Sequence, residues 1–204
     1  MADWNGEIAS REEMRERKRR AALHVASRLF NEKGYHATSL DEIADRIGVT
    51  KTALYYYFRN KEELLFECIE ISLKAGETAR TAAEASGLRS YDRFKSFYLD
   101  FLKRIMDCGG SYSTLINMRA LPGPMQETLF KRRDGLRAYI QQLLEGALAD
   151  GDIRAVDPEA ISLFLIAALN WIMAYNQERA ADALDHDEVA SRFLDQILFG
   201  LETR

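Results

Sequence analysis

"GVTKTALYYYFRNKEELL", residues 48–65, sets three tyrosines in a row between a glycine turn and an acidic, apolar run. Consecutive helical residues point about 100° apart, so one core cannot accept Tyr55, Tyr56 and Tyr57 together. Some of these rings must face something outside the protein. The residues in front narrow the choice. "TSLDEIADRIG", residues 38–48, reads as a short amphipathic helix with a Ser39–Glu42 capping pair and Leu40, Ile43, Ala44 and Ile47 turned inward. Ala44 is small where two helices would cross, and Gly48 supplies a turn with positive φ. Thr50 is a cap residue for a third helix reaching about Phe58, and Val49 and Leu54 are expected to close the motif's own core.

Two short helices joined through a glycine are the pattern of a helix-turn-helix. A helix this short is not stable alone. Its use is to project its first turn into a DNA major groove. Thr50, Lys51 and Thr52 then stand where they can meet base edges and phosphates. Tyr55 is expected to pack partly on the motif, leaving Tyr56 and Tyr57 to point at the phosphate walls. Lys61 opens the next helix and is placed to reach a backbone phosphate. Thr38 and Ser39 open the second helix, whose N-terminus attracts phosphate.

Outward from this motif the chain reads as all-α, with about nine helices. "SREE" caps a first helix from Ser10 to about Glu32, ended by Gly34. Asn60 and Glu63 cap a fourth helix reaching about Glu84. An aromatic stripe, Tyr91 to Ile105, marks the fifth; a short sixth spans about 112–120, and a seventh about 124–149. Asp157 with Pro158 opens the eighth, to about Arg179, and a ninth runs from about Asp185 to Glu202. The boundary between a helix-turn-helix domain, residues 10–62, and a larger domain, residues 63–204, is expected inside the fourth helix.

Charge follows the same division. Residues 1–61 carry 12 Lys+Arg and 9 Asp+Glu, and the remainder carries 16 and 23. A mildly basic head on an acidic body implies an anionic partner for the head. The run "REEMRERKRR", residues 11–20, admits two readings: a basic extension touching phosphates, or a solvated face with internal ion pairs. Two cysteines make no disulfide framework and fit a reducing, cytoplasmic setting. "AISLFLIAALNWIMAY", residues 160–175, is too short for a membrane span and contains Ser162 and Asn170, so no membrane partner is expected. The histidines are scattered, no metal-ligand spacing occurs, and neither G-x-S-x-G nor a phosphate-cradling glycine loop appears. An enzyme, a metal and a cofactor are therefore not expected.

Residues 20–66 resemble the DNA-binding domain of TetR-type transcriptional repressors. The matching signals are Gly34-Tyr35, Thr38-Ser39, Ile43-Ala44, Gly48-Val49, Leu54-Tyr55 with Phe58, and Asn60-Lys61-Glu62. The resemblance implies a nine-helix homodimer that binds double-stranded operator DNA and carries an effector pocket in its C-terminal domain. By the same resemblance Thr38, Ser39, Lys51, Thr52, Tyr55, Tyr56, Tyr57 and Lys61 match positions used for DNA contact. Thr52 stands where glycine is frequent and Tyr57 where histidine is frequent.

The eighth helix is apolar almost all round, which requires burial on all faces. The eighth and ninth helices together suit a four-helix dimer interface; an internal core helix is the other reading. Phe94, Tyr98, Phe101, Met106, Tyr112, Trp171 and Tyr175 suit the wall of a pocket for an apolar or acyl effector, and equally a plain aromatic core. Arg119, Arg132 and Arg133 are placed to bind phosphates of a nucleotide-bearing ligand. The Arg133-Asp134 pair, "GDIR" at 151–154, "DP" at 157–158 and "NW" at 170–171 resemble a subgroup of these repressors that senses acyl-coenzyme A thioesters. A helical interaction module, or an efflux regulator sensing planar aromatic compounds, are the competing readings.

Overall fold

The computed structural model describes residues 10–107, 115–178 and 186–199. Among them the elements are α1 (Arg11–Lys33), α2 (Leu40–Ile47), α3 (Lys51–Tyr55), α4 (Lys61–Ala85), α5 (Ser90–Asp107), a 3₁₀ turn (Leu115–Ala120), α6 (Gly123–Ala149), α7 (Pro158–Glu178) and α8 (His186–Phe199). The all-α class is as expected. The ninth helix is missing from this order because the segment expected as the sixth α-helix forms only the 3₁₀ turn among the described residues.

The caps explain where the head's helices begin. Ser10 and Glu13 exchange backbone–side-chain hydrogen bonds of 2.6 and 3.1 Å. Ser39 accepts from the Glu42 N–H, Thr50 from the Ala53 N–H, and Asn60 from the Glu63 N–H. Each satisfies a donor that a first helical turn leaves open. Gly48 ends α2 in the left-handed region at φ 80°, a conformation costly for any residue with a Cβ. α3 is shorter than expected: beyond Tyr55 the chain tightens, and the N–H groups of Tyr57 and Phe58 both return to the Leu54 carbonyl.

The head packs on α4. Leu23, Ala26 and Phe30 of α1, Ile43 of α2, Leu54 and Phe58 are buried with Leu64, Leu65, Cys68 and Ile69. Val49, expected in this core, is instead 40% exposed, because the turn after Gly48 swings it outward. Cys68 is buried, and burial pushes its thiol up to about 12.

Farther along α4 the body begins. There α4 crosses α5 and α6 at Gly76, where a Cβ would lie 2.6 Å from Leu136 Cδ1 and 2.8 Å from Phe101 Cζ. Arg132 of α6 fixes the same crossing by ion pairs to Glu70 at 2.6 Å and Glu77 at 2.7 Å. One helix thus carries packed contacts to both the head and the body. Among the described residues no helix is long and apolar enough to cross a membrane.

Candidate nucleic-acid interface

α2 and α3 present their polar side away from the core. Ser39, Thr50, Lys51 and Thr52 are exposed, and Tyr55 and Tyr56 are 48% and 69% exposed. The three tyrosines divide differently from the expectation. Tyr57, rather than Tyr55, packs against the core: its ring tilts on Phe58 at 6.4 Å and meets Tyr56 edge-on at 5.2 Å. The tightened backbone after Tyr55 rotates Tyr57 inward and leaves Tyr55 and Tyr56 as outward phenols.

Lys51 sits at the first position of α3 and is ion-paired with Asp41 of α2 at 2.8 Å. That hydrogen bond raises its pKa, so it is fully charged at the exposed surface. Asp41 is a residue that the sequence reading passed over. Its place in the first turn of α2 also complements the helix dipole.

Two residues do not fit the surface role expected of them. Thr38 is 1% exposed, and its hydroxyl bonds to the carbonyls of Gly34 at 2.9 Å and Leu29 at 3.2 Å. Its side chain closes the turn between α1 and α2 and has no surface to offer DNA. Lys61 is half-buried, with its ammonium turned inward. It donates to the carbonyls of Tyr35 and Thr38, each at 2.8 Å, and lies 4.0 Å from the centre of the Tyr35 ring. Burial lowers its pKa. The Tyr35 hydroxyl in turn donates to Glu62 at 3.0 Å. Lys61 therefore ties the first turn of α4 to the α1–α2 turn. The sequence signal for this was the pairing of Gly34-Tyr35 with Lys61-Glu62, which no periodicity would link.

The run at residues 11–20 also divides. Arg19 faces inward, paired with Glu67 at 2.5 Å and stacked over Phe58 at 5.4 Å. Arg15 faces outward, over the Tyr56 ring at 5.6 Å.

In the body, four of the expected effector residues form part of the core. Phe94, Tyr98, Phe101 and Met106 are buried, with Phe94 and Tyr98 rings 5.9 Å apart. The Tyr98 hydroxyl donates to the Leu165 carbonyl at 2.9 Å, joining α5 to α7, and burial raises its pKa. Trp171 and Tyr175 lie on α7, but their side chains are outside the described residues, as is Tyr112 altogether. Of the arginines, Arg132 is occupied by Glu70 and Glu77. Arg133 contacts Asp134 at 2.6 Å and stacks on Phe130 at 4.8 Å. Arg119 is exposed.

A capped two-helix reader with polar first-turn residues, held on a helix that continues into a larger α-helical body, defines a helix-turn-helix DNA-binding regulator. Residues 22–68 match the family described as bacterial regulatory proteins, tetR family. Residues 87–201 match a second family, the tetracyclin repressor-like C-terminal domain. The chain belongs to the TetR family of transcriptional regulators. It is 25% identical over 189 residues to the HTH-type transcriptional regulator YhgD of Bacillus subtilis strain 168, spanning 90% of this chain and 96% of that protein. Among solved structures it resembles the TetR-family regulator PfmR from Thermus thermophilus, with a TM-score of 0.73 at 27% identity, covering 89% and 99% of the two chains. The same fold occurs in AibR, solved in complex with isovaleryl coenzyme A and operator DNA, with a TM-score of 0.67 at 22% identity, covering 88% and 97%. These relatives are regulators, and this chain is a DNA-binding transcriptional regulator rather than an enzyme.

Proposed function

We propose that the protein is a repressor that binds a palindromic operator as a homodimer and leaves it when an apolar or acyl effector occupies the body. The observation that carries this reading is α4, which packs on the α1–α3 head at one end and crosses α5 and α6 at the other. Ser39, Thr50, Lys51, Thr52, Tyr55 and Tyr56 form the DNA face, with Tyr57 supporting it. Residues 10–62 form the reading head and residues 63–204 the sensing and dimerising body, working in the cytoplasm.

The dimer surface is α7 with α8. Ser162, Leu165 and Leu169 turn one face of α7 into the core, while Leu163 and Phe164, on the other face, are 53% and 57% exposed. Apolar side chains that far out of a core call for a partner, and a second copy of the same helix pair supplies one.

The effector side is supported by the buried cluster of Phe94, Tyr98, Phe101 and Met106, an apolar interior that an acyl group would suit, and by the acyl-coenzyme A complex of AibR, a protein of the same fold. A second link carries effector strain to the head: Asn117 of the 3₁₀ turn donates to the Phe30 carbonyl of α1 at 3.3 Å. Coupling of this kind needs only a difference in ligand affinity between two states, typically about 1–3 kcal/mol. The test is titration of acyl-coenzyme A thioesters, free fatty acids and planar aromatic compounds against the protein–operator complex. Release by thioesters alone is the expected result for the acyl-coenzyme A branch. Release by planar aromatic compounds alone would transfer the reading to an efflux regulator, and release by none would remove the sensor.

A further inference from the structure

Arg11, Arg15 and Lys18 occupy positions i, i+4 and i+7 of α1 and so share one helix face. All three are exposed, and among the described residues none is paired with a carboxylate. One of them, Arg11, is the first residue of α1, where the helix dipole disfavours a cation by a few tenths of a kcal/mol or more. Helix stability alone does not favour that placement.

The same face borders a cleft. Arg11, Glu12, Met14, Arg15 and Lys18 on one side and Tyr56 and Tyr57 on the other enclose an open volume of about 420 Å³. Three cations face one carboxylate there, Glu12. The Arg15 guanidinium is held 5.6 Å over the Tyr56 ring, and Tyr56 is itself braced edge-on against Tyr57. A guanidinium oriented by an aromatic face keeps its N–H fork free for a bidentate anion. The Tyr56 phenol adds a donor at the same rim. Tyr56 also follows directly on α3, so the cleft is continuous with the proposed DNA face.

We propose that this cleft is a phosphodiester-binding site, in which Arg11, Arg15 and Lys18 with Tyr56 grip the DNA backbone beside the groove that α3 enters. This rests on the DNA-binding reading above. It assigns α1 a role in affinity and footprint length, separate from the base-reading first turn of α3.

The test compares two variants that each remove two charges from α1. Arg11→Gln with Arg15→Gln changes the cleft; Arg17→Gln with Arg20→Gln changes the opposite face. Both keep helix-forming side chains, and circular dichroism checks that both fold. Binding is measured against salt on a duplex enriched by the wild-type protein from a random DNA pool. The cleft variant is expected to lose about 0.9 of log–log salt slope for each phosphate contact removed, roughly one to two in all, with the preferred sequence unchanged. The opposite-face variant is expected to keep the wild-type slope. Ethylation interference should show phosphates beside the half-site that matter to wild type and not to the cleft variant. Equal slopes for the cleft variant and wild type, or equal losses in both variants, would overturn the assignment. If wild type enriches no duplex, the DNA-binding reading itself fails, and with it this site.

Discussion

The Lys61 ammonium donates to the Thr38 carbonyl at 2.8 Å, across 23 residues of chain, and so locks the first turn of α4 to the entrance of α2. With its second bond to the Tyr35 carbonyl and the Tyr35–Glu62 bond, it ties the start of α4 to the α1–α2 turn at three points. In the release mechanism proposed above, these bonds would pass a tilt of α4 to α2 and α3.

Lys61→Met keeps the aliphatic stem and removes the ammonium. Two half-buried carbonyls lose a charged donor, and water recovers part of the loss, so the expected destabilisation is about 1–2 kcal/mol in urea unfolding. DNA affinity should fall, but the salt slope should stay at the wild-type value because the ammonium faces carbonyls. A slope reduced by about 0.9 would instead assign Lys61 to a phosphate.

Asp41→Asn frees Lys51 from its ion pair and removes a negative charge from the DNA face. Exposed pairs are worth roughly 0.2–1 kcal/mol, so DNA affinity is expected to rise by up to about fivefold. Fluorescence anisotropy on the enriched duplex measures it. Weaker binding by the variant would mean that Asp41 positions Lys51 rather than competing for it.

The fold was legible in the sequence wherever a local rule acted alone. The Ser10, Ser39, Thr50 and Asn60 caps and the Gly48 turn set the head's boundaries, and all five act within four residues of themselves. The all-α class followed from apolar periodicity for the same reason. What periodicity could not show was the direction of single side chains after an irregular turn. Val49 and Tyr57 exchanged their expected environments because the chain tightens on either side of α3. Thr38 and Lys61 were read as surface residues because their partners are backbone carbonyls, which no sequence pattern displays. Arg132 was read as ligand-facing, since Glu70 and Glu77 lie more than fifty residues away in the chain.

Phe164→Glu places a charge on the outward face of α7 without touching its buried face. The expected outcome is a folded monomer by sedimentation, with operator affinity reduced at least tenfold because only one half-site is held at a time. A variant that remains dimeric would move the interface away from α7.

His24 makes stability depend on pH. Burial, and then the charge of Arg28, lower its pKa below 6.5. The unfolded imidazole therefore takes up a proton before the folded one does as pH falls. The stabilisation is present above 6.5 and is lost as pH drops through the lower folded value. His24→Gln should flatten the stability profile in that acidic window, as followed by thermal melts. An unchanged profile would assign the acid sensitivity to other groups.

The central claim is that two copies of α3 read one symmetric DNA site. Enrichment of duplexes from a random pool by the purified full-length protein, followed by sequencing and sedimentation of the complex, tests it most directly. The expected result is an inverted repeat whose half-sites lie about one helical turn, roughly 34 Å, apart or a multiple of that, bound by an even number of chains. A pool that stays random, or a single asymmetric half-site bound by one chain, would contradict it.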